Sequence, residues 1–146
     1  MKIAVGSDHA GFELKEKIKN HLLERGFKVK DFGTNSKESC DYPDFAYLVA
    51  SAVAKGAFER GILLCGSGVG VSITANKVKG IRAVNAYSEE IAKQSREHGD
   101  CNILTLAGRD KYLDPKMALK IVDVWLDTLF SGEERHQKRI RKIEKE

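Results

Sequence analysis

Short apolar runs rich in β-branched residues alternate along this chain with longer stretches in which apolar residues recur every three or four positions. That alternation marks repeated strand–helix units, whose strands pair in parallel and form one central sheet. The first strand is predicted at residues 2–6. The helix after it carries Phe12, Leu14, Ile18, Leu22 and Leu23 before Arg25-Gly26 stops it. A second strand at 27–32 leads into a polar, turn-prone segment at 33–43, then a helix over 44–55 with Phe45, Leu48, Val49, Ala52 and Val53 on one face. Residues 61–65 read Gly-Ile-Leu-Leu-Cys with no alternation, as expected of a central strand buried on both faces. Helical sequence comes after Gly70. A fourth strand is placed at 81–86, with Ser88 capping the next helix and Glu89 and Glu90 in its first turn. The fifth strand covers 102–107. Asp114-Pro115 then opens a helix whose apolar face is Met117, Ile121, Val122, Trp125, Leu126 and Leu129, closed by Ser131-Gly132. The tail, about 133–146, sets Ile140 and Ile143 among charges and is predicted to be a short amphipathic helix lying on the body or on a neighbour. No internal repeat or second domain interrupts this order, so 1–146 is expected to be one α/β domain.

Composition narrows the picture. With 146 residues and 42% hydrophobic content, the chain has enough apolar surface for a core that needs neither disulfides nor a metal. Cys40, Cys65 and Cys101 are odd in number and lack the paired spacing of zinc or redox sites, so they are read as free thiols, and no metal or cofactor is expected. There is no apolar run of about 18 residues. A soluble, cytosolic protein with no membrane partner is expected. The net charge of +4 is concentrated in the tail, where Glu133, Glu134, Glu144 and Glu146 interrupt the basic residues and no aromatic interleaves. A nucleic-acid arm is therefore disfavoured against a small phosphorylated partner.

In open α/β sheets ligands collect beyond the carboxyl ends of the strands. Ser7-Asp8-His9-Ala10-Gly11 comes after the first strand, Cys65-Gly66-Ser67-Gly68-Val69-Gly70 after the third, and Gly108-Arg109 after the fifth; His98, just before the fifth strand, is expected to join them. The alternate glycines before a helix expose backbone N–H groups suited to an anion. They match neither the P-loop, lacking Gly-Lys-Ser/Thr, nor the dinucleotide fingerprint, whose spacing differs, and the bland alternative is a tight strand-to-helix turn. Cys65 is either a buried strand cysteine or a thiol whose thiolate is favoured by nearby N–H groups, fit to take a proton from carbon. Asp8 and His9 are either a helix cap or a ligand-contacting pair. His98 is either a partner of its helix dipole or an acid–base group. Arg109, and Arg135 with Arg139 four apart, are either solvated charges or a fork for phosphate oxygens.

Taken together, Gly6-Ser7-Asp8-His9-Ala10-Gly11-Phe12, Asp41-Tyr42-Pro43-Asp44, the Cys65 to Gly70 loop, Ala75-Asn76-Lys77, Gly80-Ile81-Arg82-Ala83, Ser95-Arg96-Glu97-His98, Asn102-Ile103-Leu104, Gly108-Arg109, Arg135-His136 and Arg139-Ile140 resemble the B-type ribose-5-phosphate isomerase family and its relatives, the galactose-6-phosphate isomerase subunits. The resemblance implies a three-layer α/β/α sandwich with a Rossmann-like five-stranded parallel sheet. It further implies a cofactor-independent aldose–ketose isomerase working through a cis-enediol, with Cys65 as general base, His98 assisting ring opening and Ser67 supplying a hydroxyl. Asp8, His9 and Tyr42 would contact the sugar, Gly66, Ser67, Gly68, Val69 and Gly70 would cradle the enediolate, and Arg109, Arg135 and Arg139 would hold phosphate. A homodimer or dimer of dimers with shared sites is implied as well. Gly99 stands where the family usually has an asparagine contacting the intermediate. Isomerisation of a six- or four-carbon sugar phosphate, a silent sugar-phosphate-binding protein and a nucleotide-binding Rossmann protein are the alternatives.

Overall fold

Largely apolar runs of five or six residues, too short for helices and bounded by turns, become the three central strands of the computed structural model, which describes residues 1–145, and the two outer strands are shorter. In chain order the elements are β1 (Lys2–Ser7), α1 (Phe12–Glu24), β2 (Lys28–Asp31), α2 (Tyr42–Ala54), β3 (Arg60–Cys65), α3 (Val69–Asn76), β4 (Ala83–Asn85), α4 (Glu89–Gly99), β5 (Ile103–Ala107), α5 (Pro115–Asp127) and α6 (Glu134–Glu144). Among the described residues the strands form one sheet in the order β2-β1-β3-β5-β4. Every pairing is parallel. The three-layer α/β/α sandwich expected from the sequence is the architecture found. The tail is helical as anticipated, with Glu146 outside the described residues.

Strand side chains alternate between the two faces of the sheet, and each face has its own helices. Ile3, Val5, Ile62, Leu64, Leu104 and Leu106 pack with Leu14, Ile18, Leu22, Ile121 and Trp125 from α1 and α5. Ala4, Leu63, Cys65 and Ile103 pack with Ala46, Val49, Val71 and Ala75 from α2 and α3. Trp125 is fully buried, and the Arg60 guanidinium lies 5.2 Å from the centre of its ring. Register decides which loops can meet. Ser7 pairs with Leu64 and Cys65 with Ala107, so β1, β3 and β5 finish almost level at their carboxyl ends.

Two predicted helix starts hold in detail: Ser88 Oγ accepts the Ile91 N–H at 3.2 Å, and Asp114 Oδ1 accepts the Lys116 N–H at 2.7 Å. One helix end does not. The helix expected to run to Ser131-Gly132 stops at Asp127, because Thr128 turns extended and its carbonyl is taken by Arg96 Nε at 3.3 Å. Leu129 is consequently 81% exposed and is not part of the apolar face.

A buried ion pair fastens α1 to the end of β2. The Lys15 side chain is fully buried, with Nζ at 2.8 and 2.6 Å from the Asp31 oxygens and 3.3 Å from Glu16. Lys19 reaches Asp31 at 3.0 Å, and Asp31 Oδ1 also accepts the Gly33 N–H at 2.8 Å. Burial alone would push the Asp31 carboxyl up, but Lys15, the Gly33 amide and Lys19 outweigh it and hold it below the ordinary value. A carboxyl depressed in this way contributes stability above its unfolded value, near pH 4, that is lost as pH falls through the lower folded value. Asp31→Ala strands the Lys15 cation. It is expected to lower the unfolding free energy at pH 7 by about 3 kcal/mol, the low end for breaking a buried pair because Glu16 remains. Urea denaturation measures this, and a loss below about 1 kcal/mol would mean that the ammonium does not depend on Asp31.

Candidate functional site

The carboxyl edge of the sheet is open between β1, β3 and β5, and the loops leaving these strands wall a cavity of about 440 Å³. Asp8, Tyr42, Cys65, Gly66, Ser67, Val69, Gly70 and Arg109 line it, joined by Ile73 and Tyr112.

Cys65 ends β3 on the sheet face that carries α2 and α3, and it is 4% exposed. The chain then turns sharply. Gly68 adopts a left-handed conformation, φ 82°, which aims its N–H back at the Cys65 sulfur, 3.2 Å away. A side chain at 68 would also meet Asn85 Oδ1 at 2.3 Å and the Leu106 carbonyl carbon at 2.9 Å. Carbonyls freed by such a turn need donors from elsewhere. Thr105 Oγ1 donates to Gly68 O at 2.9 Å, and Asn85 Nδ2 donates to Ser67 O at 3.3 Å. Ser67 Oγ accepts the Val69 N–H at 3.2 Å. Gly70 leaves room for Tyr42, whose ring carbon lies 2.5 Å from where a Cβ would stand.

Asp8 is buried and caps the turn at His9–Gly11, its Oδ1 accepting from Ala10 N at 2.9 Å and Gly11 N at 3.1 Å. Capping and facing the cavity are thus compatible. His9 is half-buried, and its Nδ1 accepts the Cys40 N–H at 3.2 Å, which ties the 33–41 loop to the same edge. The Arg109 guanidinium lies over Gly66, 3.1 Å from the Cβ position there.

His98 is not among these residues. The expectation that it converges with Cys65 conflicts with the direction of the chain: a residue just before a parallel strand sits at the amino edge. Arg82, which precedes β4, donates to the Gly99 carbonyl at 2.8 Å and the Asp100 carbonyl at 2.9 Å. It also pairs with Glu144 at 2.6 Å, holding α6 to the same end. His98, Gly99, Arg135 and Arg139 therefore form a second group, separated from Cys65 within the chain by roughly the length of β5, about 15 Å.

Sequence patterns missed the supports of the loop. Thr105 is the polar member of an otherwise apolar strand, and a buried hydroxyl must find a partner, so it was the available signal. Asn85, Ile73 and Tyr112 carried none.

Known proteins resemble this chain along nearly its whole length. The family model described as Ribose/Galactose Isomerase matches residues 3–143. The chain is 50% identical to ribose-5-phosphate isomerase B of Escherichia coli, over 97% of this chain and 93% of that protein. It superposes on the ribose-5-phosphate isomerase B of Clostridium thermocellum with a TM-score of 0.96 at 50% identity, covering 99% of this chain and 96% of the other. The Mycoplasma genitalium ribose-5-phosphate isomerase B, solved with bound ribulose-5-phosphate, gives 0.93 at 44% identity, with 99% and 94% covered.

The crowding around residue 68 yields a direct contrast. Gly68→Ala adds left-handed strain of about 1 kcal/mol to overpacking of about 1–3 kcal/mol. Gly80 is also left-handed, φ 86°, but no described residue lies within 4 Å of its Cβ position, so Gly80→Ala is expected to cost only the strain. Equal losses for the two variants in chemical denaturation would contradict the tight seating of the loop.

Proposed function

The chain belongs to the ribose/galactose isomerase family, and we propose that it interconverts ribose 5-phosphate and ribulose 5-phosphate with Cys65 as the base. The observation that carries this reading is the Gly68 N–H directed at the Cys65 sulfur, 3.2 Å away, in the wall of a cavity that Arg109 also lines. An amide aimed at sulfur stabilises negative charge there, and a thiolate so placed can take the C2 proton of the open-chain aldose and return it to C1. The resulting cis-enediolate carries its charge on oxygen. Exposed N–H groups at the start of α3 and the Ser67 hydroxyl are the donors that offset it. Asp8, His9 and Tyr42 hold the sugar hydroxyls, and Arg109 takes part of the phosphate.

Ring opening needs an acid–base group, and His98 is the candidate, but it stands at the wrong end of the sheet to serve its own Cys65. We infer that the active form is a homodimer in which His98, Gly99, Arg135 and Arg139 of one copy complete the cavity of the other. Val69 and Ile73 support this, being 44% and 58% exposed beside the cavity and offering apolar ground for a second copy. An assay of ribose 5-phosphate conversion on the purified protein tests the reaction itself.

Shared sites make a sharp demand on mixtures. Cys65→Ala and His98→Ala should each lower turnover by roughly 10²- to 10⁴-fold. Unfolded, mixed and refolded together in equal amounts, they should recover about a quarter of wild-type activity, because half of the dimers then hold one intact site of two. No recovery above the parents would rule out the shared arrangement.

Gly99 supplies the second expectation. Its backbone is helical and, among the described residues, a Cβ there would meet only Cys101 Sγ, at 3.3 Å, so a side chain is accommodated with a small shift. Gly99→Asn adds an amide donor for the enediolate oxygen and should raise kcat by about 3- to 100-fold with KM within about 2-fold. A folded variant that is slower on the pentose phosphate would mean that glycine makes room, and would favour a six-carbon substrate.

A further inference from the structure

The tail helix buries a histidine to which the proposed isomerisation gives no task. His136, in the first turn of α6, is 2% exposed although Arg135 and Gln137 on either side are exposed. Its Nδ1 lies 2.7 Å from Ser131 Oγ and 3.4 Å from a Glu133 carboxylate oxygen. Ser131 is itself held, since its Oγ accepts the Glu133 N–H at 3.2 Å and its own N–H donates to the Glu97 carbonyl at 3.1 Å. Nε2 of His136 has no partner among the described residues. The ring face is covered by His98, with centroids 4.2 Å apart and planes inclined by 27°.

A buried ring nitrogen left unpaired is destabilising, and an apolar side chain of similar size would avoid that loss. Core filling is therefore a poor account of a histidine here. Its distinguishing property is the anchor on Ser131, which stops the ring from turning and makes its face a fixed support. His98 is exposed, so without that support its imidazole would sample several rotamers. Burial first, then the charges of His98 and Arg135, push the His136 imidazole below its ordinary value despite Glu133. The ring is accordingly neutral near neutral pH, and a neutral support does not repel His98 when that residue gains a proton.

We propose that His136 is a positioning residue for His98, its anchored ring setting the plane in which the His98 imidazole is presented to the sugar. This rests on the reading of His98 as the ring-opening group. An imidazole that moves a proton must meet the ring oxygen in a narrow range of geometry, and a displacement of about 1 Å can cost 10²-fold. The support matters only while the sugar is cyclic. Ribulose 5-phosphate has no hydroxyl placed to close a five- or six-membered ring, so conversion in that direction reaches the enediolate without ring opening.

The test is kinetic, with variants chosen so that folding is not in question. His136→Phe keeps a flat ring, while His136→Ala removes it; thermal melting and sedimentation establish that both remain folded and assembled. With ribose 5-phosphate, His136→Ala should lose about 10- to 100-fold in kcat with KM within about 3-fold, and His136→Phe, which keeps a ring but loses the Ser131 anchor, should fall between the alanine variant and wild type. The equilibrium constant ties the two directions together, so kcat/KM from ribulose 5-phosphate should fall by the same factor. In the His98→Ala background, His136→Ala should cost nothing further. NMR of ¹³C-labelled histidine supplies a readout independent of turnover: the His98 ring resonances should lose the ring-current shift from His136 in the alanine variant. A fully active His98→Ala would overturn the reading of His98 and the positioning role with it. An inactive His98→Ala beside a His136→Ala with wild-type kcat would overturn the positioning role alone. So would a His136→Phe with wild-type kcat, which would make the position core filling, or a loss confined to KM, which would make His136 a polar contact to the ligand.

Discussion

In a parallel sheet, the loops that enter the strands and the loops that leave them are held apart by the length of a strand. Here that separation sorts the chemistry-bearing residues into two groups. Asp8, Cys65 and Arg109 lie at or just beyond the ends of β1, β3 and β5 and meet at one edge, because those strands end level. His98 and Gly99 precede β5, and Arg82 gathers them with α6 at the other edge. Each group is well built and each lacks what the other has. The proposed pairing of two copies, amino edge to carboxyl edge, would bring Cys65, its glycine loop, His98 and the arginines of both groups to one cavity.

At the carboxyl edge the decisive geometry is one residue long. The left-handed turn at Gly68 directs an amide at sulfur, and it does so only because Thr105 and Asn85 capture the carbonyls that the turn releases. Those two supports come from β5 and β4, whose register is set by pairing along the sheet. The reactive loop is thus positioned by strands that lie mostly outside the cavity. Tyr42 plays a comparable part from α2, closing on the glycine backbone at position 70.

Most of the architecture was legible in the chain. Unbroken apolar runs such as Ile62-Leu63-Leu64 have no other comfortable place than a central strand, and the caps at Ser88 and Asp114 advertise the helices they open. Cys65, its glycine loop, Asp8 and Arg109 were legible too, since they sit at the carboxyl ends of strands. The features that escaped are long-range. Thr128 leaves its helix because Arg96, more than thirty residues earlier, takes its carbonyl, and no local pattern announces that. His98 lies near β5 in sequence but at its amino end, and nearness to a strand does not by itself say which edge a residue joins. The pairing of His98 with His136 depends on how α6 folds back over α4, which hydrophobic periodicity does not encode.

Trp125 is the sole tryptophan, fully buried with Arg60 over its ring where β3 begins. Its intrinsic fluorescence therefore belongs to one spot on the amino edge. A cation against the indole and the exclusion of solvent from it make the emission sensitive to the packing of α5. Tryptophan emission in this protein is a gauge of folding and of the α5 layer.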